Sequence, residues 1–139
     1  MKKHLVIVCA LVAFAAFANG KATYRDAMGR NQGSSSTSGN RTTFRDAQGR
    51  LQGTAQTSSA GTTYRDAQGR LQGSSRTDAS GRTTYRDSLG RLQGTATTDA
   101  SGRVTFRDAQ GRLQGTATTD ASGRVTYRDA QGRLQGTKK

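Results

Sequence analysis

An aromatic residue returns at Tyr24, Phe44, Tyr64, Tyr85, Phe106 and Tyr127, at intervals of 20, 20, 21, 21 and 21 residues. A period of that length marks a repeat architecture, in which each unit buries its apolar face only against its neighbours. The sequence predicts a β-repeat domain over 19–139, with units near 24–43, 44–63, 64–84, 85–105, 106–126 and 127–139. The third to sixth units are closest to one another; the first two are Ser-rich and imperfect.

Composition excludes the usual alternative to a repeat. From residue 19 onward, Leu, Ile, Val and Phe together number 10, and Tyr and Met28 bring the sizeable apolar side chains to fifteen. So few apolar groups cannot offset the ordering entropy of a single-core globular domain. A folded chain of this kind must therefore stabilise itself through regular neighbour contacts.

The first twenty residues, MKKHLVIVCALVAFAAFANG, read differently from the rest. A short basic start, an apolar run from Leu5 to Phe17 and small residues at Ala16 and Ala18 predict a secretory signal peptide over 1–18. The run is shorter than the ~20 residues of a spanning helix, and no transmembrane segment is expected in the mature chain. Cys9 and His4 leave with the leader, so the exported chain has no thiol, no histidine and no disulfide. Localisation is expected to be periplasmic or extracellular, in a bacterium.

Within a unit, two phrases carry turn chemistry. Asp120-Ala-Ser-Gly123-Arg124 places Asp where a type I turn favours it and Gly where the chain takes positive φ before the returning strand. Counting outward puts Asp120 opposite Arg124, Thr119 opposite Val125 and Ala117 opposite Tyr127. Leu113, Gly115, Ala117, Val125 and Tyr127 then share one face, and Arg112, Gln114, Thr116, Thr118, Arg124, Thr126 and Arg128 the other. That alternation is a strand signal with no helical period competing. The second phrase has its turn residues at Asp108 and Gly111, and again at Asp129 and Gly132. Repeating the first geometry there would set Tyr127 opposite Gln135 and break the two-faced pattern. Either a four-residue loop pairing Tyr127 with Leu134, or a bulge at Gln-Gly, restores it. The expected fold is all-β: an antiparallel β-hairpin array, meander or solenoid-like.

Asp-x-x-Gly-Arg-Leu after an aromatic, at 46–51, 66–71, 87–92, 108–113 and 129–134, with a second Asp-x-x-Gly-Arg between copies, resembles the YD (Rhs-type) repeats of secreted bacterial proteins. The resemblance spans nearly all of the mature chain, with Tyr-Arg-Asp in place of Tyr-Asp, and Asn31 where the first copy would have Leu. It implies β-strand spiral or meander architecture outside the cytoplasm, and no enzymatic activity for the repeat itself.

No cofactor, metal site or catalytic group is expected. Each Asp stands at a turn with an Arg four residues on, whereas acid-base catalysis favours His or paired carboxylates and calcium sites cluster oxygen ligands. Charge says more. Removing Lys2 and Lys3 from the 22 basic residues leaves 20 against 9 acidic ones, a net charge of +11. The bland use of that charge is solubility. The sharper expectation is an extended basic β surface, structural or binding a polyanion such as lipopolysaccharide or acidic polysaccharide, through Arg91, Arg103, Arg107, Arg112, Arg124 and Arg128. Nucleic acid is not preferred, because the rings that would stack on bases fall on the apolar face. The alternative function is self-association: a chain without proline, rich in Gln, Thr, Ser and Gly, resembles curlin-type extracellular fibre subunits, whose identical strands stack into ladders.

Overall fold

The structure, a computed structural model, describes residues 20–139; the expected signal peptide lies outside the described residues. Among the described residues twelve strands follow one another without a helix: β1 (Gly20–Asp26), β2 (Asn31–Ser38), β3 (Arg41–Asp46), β4 (Leu51–Ser58), β5 (Gly61–Asp66), β6 (Leu71–Thr77), β7 (Arg82–Asp87), β8 (Leu92–Thr98), β9 (Val104–Asp108), β10 (Leu113–Thr119), β11 (Val125–Asp129) and β12 (Leu134–Lys138). Each pairs antiparallel with its chain neighbours, as the hairpin reading expects. The array also closes: β12 returns to pair with β1, and the meander becomes a barrel.

Closure rests on a steric exchange between neighbouring strands. Every recurring aromatic lies opposite a glycine of the strand that follows, as in Tyr24 with Gly33, Phe44 with Gly53, Tyr85 with Gly94 and Tyr127 with Gly136. On its other side a ring meets a small residue, as in Ser35 opposite Phe44 and Ala117 opposite Tyr127, except at the seam, where Tyr24 lies opposite Lys138. An eight-stranded barrel is about as wide as ordinary side chains fill. Twelve strands enclose more, and here the rings, with small residues on either side, occupy that width. Tyr24, Tyr64, Tyr85, Phe106 and Tyr127 are all buried, as are Ala55, Ala96 and Ala117. The glycines are required for a second reason: a Cβ at Gly94 would collide with the Arg107 carbonyl of the adjoining strand, and one at Gly115 with that of Arg128.

The interior changes character around the ring. One apolar cluster joins Tyr85, Ala96, Val104, Phe106, Ala117, Val125 and Tyr127; a smaller one joins Ala55 and Tyr64 with Phe44 against them. Elsewhere hydroxyls replace methyls. Thr37 and Thr42 are 2.9 Å apart and Thr57 and Thr62 3.0 Å, where the later copies have Val104 and Val125. The Tyr24 hydroxyl donates to Ser35 Oγ at 2.8 Å, and the Tyr64 hydroxyl lies 2.7 Å from Ser75 Oγ. In this sector the buried hydroxyls are thus paired with one another, whereas the Tyr127 hydroxyl, within the apolar cluster, is buried without a hydrogen-bond partner among the described residues. At the seam Thr23 and Lys139 exchange both backbone hydrogen bonds. Lys138 Nζ sits 5.9 Å from the centre of the Tyr24 ring, a cation–π distance, and burial pulls its pKa down.

Of the two alternatives left open for the second turn the structure takes the bulge, and the expected face of Leu113 needs correction. The turns at Asp120 and Asp129 share one geometry: Gly123 N–H donates to Asp120 O and Gly132 N–H to Asp129 O, both at 3.0 Å. The four-residue loop is absent, and Tyr127 does not face Leu134. The bulge supplies the missing residue instead. Tyr127 pairs with Gly136 and Arg128 with Leu134, leaving Gln135 unpaired between them, the two-against-one count of a bulge. The same step at Gln114 sets Leu113 opposite Arg107. Leu113 is therefore on the outer face with the arginines, 39% exposed, and not on the aromatic face. A one-residue slip reverses the side of every residue beyond it.

The outer wall follows from the same alternation. Thr116 faces Arg128, Thr95 faces Arg107 and Ser74 faces Arg86. Polar pairs of this kind do not form the apolar band of a lipid-spanning barrel. No helix among the described residues is long and apolar enough to cross a membrane.

Two glycine substitutions test the two roles. Gly94→Ala is predicted to cost about 2–3 kcal/mol, because the new methyl meets backbone rather than a movable side chain. Gly123→Ala has open space around it but a φ of +80°, and is predicted to cost only ~1–2 kcal/mol. Urea denaturation of both variants measures the difference; equal losses would contradict the steric role of Gly94.

Candidate functional site: the arginine rim

The phrase Arg-Asp-x-x-Gly-Arg-x-Gln builds one compact turn, repeated at Asp26, Asp46, Asp66, Asp87, Asp108 and Asp129. The first of these carboxylate oxygens accepts two backbone N–H bonds. At Asp129, Oδ1 takes the Gln131 and Arg133 amides, both at 2.9 Å. The second oxygen takes side chains: Arg133 Nε at 2.8 Å and the bulge residue Gln135 Nε2 at 3.2 Å. The arginine before the Asp closes the turn from outside, Arg128 Nη1 donating to Gly132 O at 2.9 Å. Arg25, Arg45, Arg65, Arg86 and Arg107 repeat that clasp at 2.8–3.0 Å.

These bonds answer why Asp recurs. It is the organiser of the turn: the carboxylates of Asp26, Asp46, Asp66, Asp87 and Asp129 each accept four local hydrogen bonds, and that of Asp108 accepts three. The sequence pointed to a bulge at Gln-Gly as one of two alternatives and to Arg107 and Arg128, but not to the bonds by which the glutamine and the preceding arginine close the turn, although their return in every copy of the phrase was the available signal. Hydrogen bonding also sets the acidity. Arg30's side-chain hydrogen bond is the largest influence holding Asp26 below the ordinary carboxylate range. At Asp129 partial desolvation opposes the shift, but the backbone and side-chain bonds from Arg133 outweigh it, and the pKa is again lowered.

Alternating strand direction gathers all six of these turns at one end of the barrel. That rim carries twelve arginines, two per turn, and six aspartates. Five Arg–Asp ion pairs of 2.7–2.8 Å lie along it. Each such arginine binds through Nε and is 67–75% exposed, so most of the guanidinium faces solvent.

The six arginines singled out in the sequence divide between the two ends. Arg91, Arg107, Arg112 and Arg128 belong to this rim. Arg103 and Arg124 follow the other kind of turn, and the barrel carries them to the opposite end. There Asp120 Oδ1 accepts the Ser122 amide, the Ser122 hydroxyl and the Arg124 amide at 2.9, 2.7 and 3.0 Å. Here a serine hydroxyl supplies a side-chain bond on Oδ1, whereas on the arginine rim a guanidinium supplies one on Oδ2. The six thus lie at the two ends of the array rather than together: alternating strand direction makes two rims, and the richer one also includes Arg25, Arg30, Arg45, Arg50, Arg65, Arg70, Arg86 and Arg133, which the expectation had not named. No group of three or more His, Cys, Asp or Glu side chains able to hold a metal ion occurs among the described residues.

This turn geometry and its spacing agree with the family comparison, where the RHS repeat matches residues 65–104 and again 86–125. The two matches together span residues 65–125. The resemblance to YD repeats is thereby shown for the part of the chain that runs from Arg65 in β5 to Val125 in β11. RHS repeats are typical of extracellular or cell-surface bacterial proteins. A search of the curated proteins found no match.

The lowered pKa values fix the sign of a pH dependence. A carboxyl whose folded pKa lies below its unfolded value of about 4 contributes stability above that value, and the contribution is lost as pH falls through the folded pKa. Stability is thus predicted to be level at neutral pH and to fall below about pH 4. In Asp129→Asn the contribution of that site disappears. The gap in urea stability between parent and variant should shrink from pH 7 towards pH 2; a constant gap would mean that the charge of Asp129 is not involved.

Proposed function

We propose that the chain is a secreted, non-enzymatic protein of six RHS-type hairpin units, which binds an anionic surface through its arginine rim. The observation that carries the reading is the imbalance of that rim, twelve arginines against six aspartates. Each Asp is engaged within its own turn and neutralises at most one guanidinium. Every turn therefore presents an uncompensated positive charge, and six such charges follow one another around a ring.

Spacing supports a multivalent target. Adjacent turns are two strands apart, about 10 Å along the ring, comparable with the Debye length at moderate salt. The charges thus act on a target together. Lipopolysaccharide and acidic polysaccharide present anions repeatedly over a surface and suit such a ring. Duplex DNA shares the charge but lacks the second attraction, because the aromatics that would stack on bases are buried inside the barrel. Fibre formation of the curlin type needs an open strand edge, and pairing of β12 with β1 occupies both.

Binding to heparin and to lipopolysaccharide is predicted to weaken by at least about tenfold between ~50 and ~200 mM salt, since bound counterions are released on association. Arg107→Gln with Arg128→Gln, the barrel verified by circular dichroism, should lower affinity and reduce the salt slope. Absence of binding to either polymer at low salt would assign the arginines to solubility. Unchanged binding in the double variant would place the contact elsewhere.

A further inference from the structure

The arginine rim also carries apolar groups that neither the turns nor the core use. At the tip of most of its turns, the residue before the glycine is glutamine: Gln48, Gln68, Gln110 and Gln131. In two turns it is instead Met28 and Leu89, each 74% exposed. Below the tips, Leu51, Leu71, Leu92, Leu113 and Leu134 ring the outer wall, 37–43% exposed. The bulge turned them outward, level with the clasping arginines; Leu71 faces Arg65, Leu92 faces Arg86 and Leu113 faces Arg107.

The positions of the two apolar tips follow from the strand order. Met28 caps the β1–β2 turn and Leu89 the β7–β8 turn. In a ring of twelve strands these turns are six strands apart in either direction. They therefore stand diametrically opposite, roughly 20 Å apart for twelve strands spaced ~4.8 Å.

We propose that the arginine rim is a docking surface for an anionic lipid bilayer, which Met28 and Leu89 enter as paired apolar anchors. The inference rests on the anionic-surface reading above and names the surface. Two anchors on opposite sides of a flat charged ring hold the barrel axis upright on the membrane. The tips lie deepest, and the guanidinium groups and the leucine ring come level with the headgroups, where amphipathic protein surfaces place cationic and apolar groups together. The charge complements lipid phosphates. A soluble polysaccharide has no use for the apolar tips, which is why a bilayer is the better occupant.

The test uses the full chain and three variants, in all of which residues 1–19 are identical, so differences between them read the rim. Co-sedimentation compares vesicles of phosphatidylcholine alone with vesicles that also contain phosphatidylglycerol, and heparin serves as a soluble polyanion. The parent should bind the anionic vesicles and heparin. Met28→Gln with Leu89→Gln installs the residue found at the other tips; it should lower vesicle partitioning roughly tenfold or more and leave heparin binding unchanged. Arg107→Gln with Arg128→Gln should lower both. The chain contains no tryptophan, so Leu89→Trp reports insertion directly: its fluorescence should be quenched by brominated acyl chains. Equal partitioning of the tip variant and the parent overturns the proposal, as does an unquenched Trp in vesicle-bound Leu89→Trp or equal binding to both kinds of vesicle. A parent that binds heparin but not anionic vesicles overturns the bilayer alone; one that binds neither overturns the anionic-surface reading as well.

Discussion

Every level of this structure depends on the fit of an aromatic ring over a glycine of the following strand. The ring needs lateral room, which glycine on one side and, away from the seam, alanine or serine on the other provide. The backbones need close approach, which only glycine permits beside the Arg107 and Arg128 carbonyls. Repeated around the chain, that single contact fills a lumen too wide for ordinary side chains and lets a sequence poor in leucine and valine bury a core. Stability is thus distributed over like contacts between neighbours, as in repeat proteins generally. Among the described residues the array leaves no unpaired edge strand, because β1 pairs with β12.

The bulge glutamine links this packing to the surface. It restores the alternation that a three-residue turn would spoil, so that Tyr127 faces inward over Gly136. It also turns Leu134 outward and donates its own amide to the Asp129 carboxylate. One residue thereby fixes what is inside, what is outside and how the acidic group is held. The charge distribution follows from that arrangement. Aspartates engaged within their turns leave an arginine surplus, and alternating strand direction collects the surplus at one end.

Much of this was legible in the sequence. The period of the aromatics gave the repeat, and Asp with Gly at fixed offsets gave the turns. Alternation gave the pairing of Thr119 with Val125 and Ala117 with Tyr127, which the structure shows unchanged. The face of Leu113 was lost because the register beyond a turn depends on one unpaired residue, and a bulge and a longer loop satisfy the same pattern. The sorting of the arginines was lost because they were assigned to a face of the sheet, whereas alternating strand direction places Arg112 and Arg128 at one end of the strands and Arg124 at the other. Nothing local distinguishes an open meander from a barrel, and only the barrel joins the turns of one end into a ring.

Closure is accordingly the claim on which the rim and its charge depend, and a single nuclear magnetic resonance contact tests it. Thr23 and Lys139 form a hydrogen-bonded pair, so the next pair, Tyr24 with Lys138, is of the closely spaced, non-hydrogen-bonded kind. In a closed barrel the α-protons of Tyr24 and Lys138 give a strong nuclear Overhauser effect, as intense as that between equivalent pairs in the interior of the array. If the interior pairs show the effect while Tyr24 and Lys138 do not, the array is open, the two rims are not continuous rings, and the account is contradicted.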